Sequence, residues 1–302
     1  MVKEIFAKNR PELSPGSLRT YTSILTNLAK QMEIEIKTPS DVIKHYKEII
    51  SHLKDVAPKV RKTRLACLIV FIEKDAEKEK DTAVDAFRKL MMSDIDTYKK
   101  EVDEQQLTER QKEGMMTMDE IMKKYTELEK EVSPLFKKDT LDKKQFAHAQ
   151  LYVLLSCLLL IPPRRSTDYT EFKMRNTDSA KDNYMKTEKK VSSFVFNTYK
   201  TAKKYGQQCE VIPKKLVNII KAWGKLNPHD YMLMNSKQTG KISPTQLTHM
   251  LHHFFGKPLS TSLLRHIYLS DRFKNMPGIK ELKTTATALG HSVPQLMEYI
   301  KH

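Results

Sequence analysis

LYVLLSCLLLIPPRRSTDYTEF, residues 151–172, is the stretch on which the reading of the chain turns. Its apolar part, LYVLLSCLLLI at 151–161, is well short of the roughly 20 residues that cross a bilayer. Pro162, Pro163, Arg164 and Arg165 then end it abruptly. The run therefore predicts the buried end of a core helix over 143–161.

The composition around that helix is that of a folded, strongly basic protein. The chain has 302 residues, 39% of them apolar and 30% charged, which is enough to bury real cores and stay wet outside. A lone small module, a membrane protein and a disordered tail are all excluded. Lys and Arg number 53 against 37 Asp and Glu, a formal charge of +16. That charge divides into +6 over 1–70, −6 over 71–120 and +16 over 121–302, so two basic lobes flank an acidic span. A single pair such as Lys189-Lys190 reads as a solvated surface. A whole lobe of like charge repels itself unless a counter-charge is bound in use, and nucleic acid is the default polyanion. The opening MVKEIFAKNRPEL lacks the apolar stretch and cleavage site of a secretory signal, which predicts an intracellular chain outside any oxidising compartment. Cys67, Cys157 and Cys209 are far apart, with no CxxC or Cys/His spacing, so neither a disulfide framework nor a metal site is expected.

The first lobe, 1–76, reads as a helical module. Ser14-Pro15 is a helix start, followed by Leu18, Tyr21, Leu25, Leu28 and Met32 at steps of three or four. Val42, Tyr46, Ile49 and Leu53 mark a second helix. A third begins with Lys59, Arg61, Lys62 and Arg64 and buries Leu65, Leu68 and Ile69. Those four cations are the expected phosphate contacts, supplying affinity more than base reading. Residues 77–116 read as an exposed charged helix and a linker, with the boundary in EVDEQQLTERQKEG at 101–114. Thr117 and Glu120 make a capping box that opens a new domain, 117–302. In it VSSFVF at 191–196 and QCEVI at 208–212 read as strands joined by the basic tip YKTAKKYG. Helices are expected from Ser243-Pro244, over Ser260–Ser270, over Ile279–Leu289 and near Pro294–Lys301. The fold class is mostly helical α+β.

The order of polar residues in this second lobe is specific. IPPRRSTDYTEF, the lysine in NTYKTAKKYG, SLLRHIYLSDRF, and ALGHSVPQLMEYIKH together resemble the catalytic domain of the tyrosine recombinases, the lambda-integrase family, over about 115–302. More weakly, the helices of 13–72 resemble that family's core-binding domain. The family's first catalytic arginine precedes an acidic residue by three positions, which selects Arg165 before Asp168, with Arg164 as its rival. The second lies in Leu-Leu-Arg-His, giving Arg265; the LGH tripeptide gives His291, and Tyr299 completes the set. The hairpin lysine is Lys200, with Lys203 and Lys204 as substitutes. One position departs from the pattern. Where the family commonly has a histidine three residues before its second arginine, this chain has Ser262. His266 does not replace it, because adjacent helix positions point about 100° apart. Ser262 can hydrogen-bond a phosphate oxygen but cannot act as a histidine base.

These residue types suit phosphoryl transfer without metal, nucleotide or other cofactor. Two forked guanidinium groups neutralise and orient the non-bridging oxygens on which charge builds during attack. A tyrosine ester of phosphorus keeps the bond energy for rejoining. The resemblance implies Arg165 and Arg265 in the first role, Tyr299 as nucleophile, Lys200 as proton donor to the departing 5′ oxygen and His291 on the phosphate. Asp168 is expected to orient an arginine. It further implies double-stranded DNA as partner, a homo-tetramer assembled on that DNA, no membrane association, and a site-specific recombinase or integrase of viral or mobile-element type. A type IB topoisomerase uses a similar residue set, but its tyrosine typically sits in Ser-Lys-x-x-Tyr, whereas QLME precedes Tyr299. A non-catalytic DNA-binding relative is the third reading, supported by Ser262. The charge distribution predicts that affinity for duplex DNA falls steeply with salt in a titration by fluorescence anisotropy; a flat response would remove the argument for DNA.

Overall fold

A computed structural model describes residues 2–74, 79–103, 107–288 and 293–294. The chain forms a mostly helical α+β protein with one small four-stranded sheet among the described residues. It divides into two compact units. The division falls between 106 and 107, and Pro277 with the helix after it groups with the first unit. The second unit is thus Leu107–Met276, whereas the reading from sequence runs 117–302.

The first unit is all helical: α1 (Val2–Asn9), α2 (Pro15–Met32), α3 (Pro39–Lys44), α4 (Tyr46–Lys54), α5 (Pro58–Ile72) and α6 (Lys80–Asp103). The Ser14 hydroxyl accepts the Ser17 N–H at 3.1 Å, so α2 starts where the Ser-Pro pair predicts. The second expected helix is two. His45, at φ −100° and ψ 12°, separates α3 from α4; of the predicted stripe Val42, Ile49 and Leu53 are buried and Tyr46 is half-buried. Helix α1 has no counterpart in the sequence reading. Its Phe6 is buried against Tyr21 and Phe71, with ring centroids 5.5 and 5.1 Å away.

Two expectations in this unit are corrected. Helix α6 is not a solvated spacer: it packs along α5 and buries Ala83, Val84 and Phe87. Arg61 is not available to phosphate either. Its Nε donates to Asp94 Oδ2 at 2.9 Å and its Nη1 to the Lys54 carbonyl at 2.7 Å, closing the turn between α4 and α5 against α6. Asp94 is 3% exposed, so the pair sits inside the fold. Of the other three cations Lys59 is exposed, Lys62 and Arg64 are half-buried, and Arg64 donates to Gln31 at 3.0 Å.

The second unit carries α7 (Glu109–Gly114), α8 (Met118–Val132), a 3₁₀ turn at Leu135–Lys137, α9 (Lys143–Leu159) and α10 (Ser166–Thr170). The sheet follows: β1 (Phe172–Lys173), β2 (Asn183–Glu188), β3 (Val191–Phe196), then α11 (Ala202–Tyr205) and β4 (Gln208–Val211). Helices α12 (Lys214–Leu226), α13 (Pro244–Phe255) and α14 (Thr261–Arg272) complete the unit, and α15 (Ile279–Ala288) groups with the first. The Thr117–Glu120 capping box is present, with Thr117 N–H donating to the Glu120 carboxylate at 2.8 Å. Asp142 caps α9 through the N–H groups of Lys144 and Gln145. Every residue of α9 from Ala149 to Leu158 is buried, so the apolar run is the core helix its length predicts. No helix among the described residues is long and apolar enough to cross a membrane.

The sheet order is β1-β2-β3-β4, parallel between β1 and β2 and antiparallel elsewhere. The hairpin expected from VSSFVF and QCEVI is the β3–β4 pair, with Phe194 opposite Glu210 and Phe196 opposite Gln208. Ser192, Phe194 and Phe196 are buried at alternate positions, and Phe172 packs on Phe194 at 4.8 Å between centroids. Strands β1 and β2 were not expected. Lys189-Lys190 is the two-residue turn joining β2 to β3, with Lys189 at φ 54°. The basic tip folds into α11 rather than an open loop. Replacing Asp94 by Ala leaves the Arg61 guanidinium inside the first unit without its carboxylate, at a cost of about 3 kcal/mol. A urea melt checks this, and a midpoint equal to wild type contradicts the structural role of Arg61.

Candidate functional site

The site is built where α9 leaves the core. After Ile161 the chain turns through Pro162 and Pro163 and meets the sheet at Arg164. The Tyr169 hydroxyl holds this corner: it donates to the Cys157 carbonyl at 3.0 Å and accepts the Arg164 N–H at 3.3 Å. Burial raises the Tyr169 phenol far above its ordinary range, so it remains a neutral donor.

Among the described residues the Arg164 guanidinium has two hydrogen-bond partners and two ring contacts. Its Nε donates to Asp168 Oδ2 at 2.8 Å and its Nη2 to Gln208 Oε1 at 2.9 Å. Its carbon lies 4.0 Å from the Phe196 ring centroid and 5.2 Å from that of Tyr199. Asp168, 2% exposed, does orient an arginine, and that arginine is Arg164. Arg165 has extended backbone, at φ −73° and ψ 154° before α10, and lines a cleft together with Arg164.

That cleft has a volume of about 270 Å³, and both Arg165 and Arg265 line it. Arg265 stands on α14, which begins where the Ser260 hydroxyl accepts the Leu263 N–H at 3.2 Å and which buries Leu263, Leu264 and Ile267 beneath it. Among the described residues neither Arg165 nor Arg265 has a hydrogen-bonding or ion-pairing partner. The duller reading of Arg265, a pair with Asp271, is not what the structure forms. Glu210 also lines the cleft. With Arg164 and Asp168 neutralising each other, the cleft keeps a net positive charge, which suits a monoanionic phosphodiester.

A neighbouring hollow of about 490 Å³ shares Arg165 and adds Lys200 and Ser262. Lys200 is exposed just after β3 and Ser262 is exposed in the first turn of α14. Lys203 and Lys204 lie on the outer side of α11, and His266 is exposed on α14. The expected residues Arg164, Arg165, Lys200, Ser262 and Arg265 therefore gather around two adjoining hollows of one unit. His291 and Tyr299 lie outside the described residues.

Asn183 ties the two sides of this region together and was not anticipated. Fully buried on β2, its Nδ2 donates to the carbonyls of Asp168 at 2.9 Å and Thr198 at 2.8 Å. Its Oδ1 accepts the N–H groups of Asn197 at 2.9 Å and Thr198 at 2.8 Å. One amide thus uses its whole hydrogen-bonding capacity to fix α10 to the segment that presents Lys200. Tyr199 continues the tie, its hydroxyl donating to the Gly206 carbonyl at 2.7 Å.

No family model matches the chain, and a search of curated proteins returns no significant match. Asn183→Ala strips buried backbone groups of their partners, so it should lower stability by about 3 kcal/mol in a denaturant melt. Asn183→Ala with wild-type stability would contradict the role given to this amide.

Proposed function

We propose that the chain is a site-specific DNA recombinase that cuts and rejoins duplex DNA through a 3′-phosphotyrosyl intermediate. The observation that carries this reading is the cleft in which Arg165 and Arg265, about a hundred residues apart in sequence, face one space without a carboxylate partner. Half-buried guanidinium groups without a protein counter-ion are suited to an anion from outside.

In this reading the two arginines hydrogen-bond the non-bridging oxygens of one backbone phosphate and stabilise the charge that grows there. The Tyr299 oxygen attacks phosphorus; the Tyr O–P bond forms as the bond from phosphorus to the 5′ oxygen breaks. The phenol, with an ordinary pKa near 10, gives up its proton during attack, to His291 or to water. Lys200 supplies the proton that the leaving 5′ oxygen requires. A 5′-hydroxyl from a second strand then reverses both steps and releases Tyr299 unchanged. Ser262 contributes a hydrogen bond to the phosphate but no base. Four protomers exchanging strands in pairs complete the reaction, and Lys59, Lys62 and Arg64 add backbone contacts from the first unit.

Ser262 also favours a second reading, a DNA-binding relative that has lost cleavage. One assay separates these. The protein is incubated with supercoiled plasmid and nicked duplexes, and covalent protein–DNA adducts are resolved on denaturing gels. The proposal expects a 3′-phosphotyrosyl adduct, confined to particular DNA sites and lost in Tyr299→Phe. Its absence on every DNA tested would overturn cleavage and leave the binding relative. Adducts accompanied by relaxation of any plasmid would indicate a type IB topoisomerase instead.

A further inference from the structure

The cleft that holds Arg165 and Arg265 contains a feature that phosphate chemistry leaves unused, the ring of Tyr205. Tyr205 ends α11 and is 57% exposed. The aromatic rings of its own sheet region behave differently: Phe194 and Phe196 are completely buried and Tyr199 nearly so. Its hydroxyl has no hydrogen-bonding partner among the described residues. Among the described residues its one ring contact is a cation, Lys204 Nζ at 5.0 Å from the centroid.

This exposure is held in place. The Gly206 N–H donates to the Ala202 carbonyl at 2.8 Å, and the Gly206 carbonyl accepts from the Tyr199 hydroxyl. Gly206 itself has φ 63° and ψ −157°, a conformation closed to side-chain-bearing residues, so the chain reverses immediately after Tyr205. A large apolar ring kept in water beside unpaired cations has the makeup of a stacking platform for a nucleic-acid base.

We infer that Tyr205 stacks on an unpaired base next to the phosphate bound by Arg165 and Arg265. The ligand class is a nucleotide whose π-face is open, as at a gap or a melted step, because both faces are covered inside an intact duplex. This inference rests on the proposed reaction, in which base pairs beside the cut must open before a strand can move to its new partner. Lys200, Lys203 and Lys204 on the same connection supply charge along the backbone. The ring then keeps the opened base from re-pairing while the 5′ end departs.

The test uses the full chain and two fluorescein-labelled duplexes of equal length, one intact and one with a gap of about two nucleotides, in anisotropy titrations at fixed salt. Wild type should prefer the gapped duplex, and Tyr205→Ala should lose on the order of tenfold in that preference with intact-duplex affinity unchanged. Tyr205→Phe, which keeps the ring, should behave as wild type. An unchanged preference in Tyr205→Ala would overturn the inference. So would a loss in Tyr205→Phe as large as that in Tyr205→Ala, since the hydroxyl would then be the contact. Thermal melts of both variants should match wild type, because the ring is not packed. Adduct formation is read separately: stacking with no adduct in any protein would sink the recombinase reading alone, whereas adducts without the Tyr205 effect would sink only the stacking role.

Discussion

The site depends on one ion pair, between the half-buried Arg164 and the buried Asp168. Arg164 follows the core helix and meets the sheet, where its half-buried guanidinium finds partners. Asp168 and Gln208 provide them, and the Phe196 and Tyr199 rings cover its faces. The interaction joins α10, β3 and β4 at one point. It also consumes the nearby carboxylate, which otherwise would have been free to pair with Arg165.

From that arrangement the properties of the cleft follow. Arg165 lines the cleft, and Arg265 comes to the same space from α14, with Asp168, already paired with Arg164, and Glu210 as the acidic residues lining it. Asn183 fixes the backbone on the far side, so the chain reaching Lys200 is set against the same short helix that carries Asp168. The cations stand on different elements and share no partner, so their common orientation comes from the backbone ties beneath them. Under the proposed reading, such a site receives the phosphate without rearrangement of the core.

Much of the fold was legible because local chemistry and burial agree. Ser14-Pro15, Thr117 with Glu120, and Ser243-Pro244 begin helices where their hydroxyls accept the expected N–H groups. The apolar run before Pro162 could only be interior. Misreadings arose where a tertiary partner overrode local composition. Among its described side chains helix α6 buries Ala83, Val84, Phe87 and the charged Asp94, and the reason for burying a carboxylate, Arg61, lies 33 positions earlier. Strand β2 buries only Asn183 fully, so NYMKTE carries no alternating signal. In the site, order and spacing brought Arg165, Lys200, Ser262 and Arg265 forward, and they do gather. The family spacing selects Arg165 and leaves open which arginine Asp168 orients; only the fold shows that it is Arg164. Tyr205 stands inside a quoted box, yet its exposure is a property of the Gly206 reversal and invisible in the string.

The central claim is that adjacent arginines divide the work, Arg164 holding the fold and Arg165 holding the phosphate. The direct measurement is a pair of single substitutions, Arg164→Ala and Arg165→Ala, each followed by thermal melting and by binding to a short duplex. Arg164→Ala should lower Tm by roughly 5–10 °C, while Arg165→Ala should melt as wild type and bind DNA more weakly. A stable Arg164→Ala protein beside a destabilised Arg165→Ala protein would contradict the account.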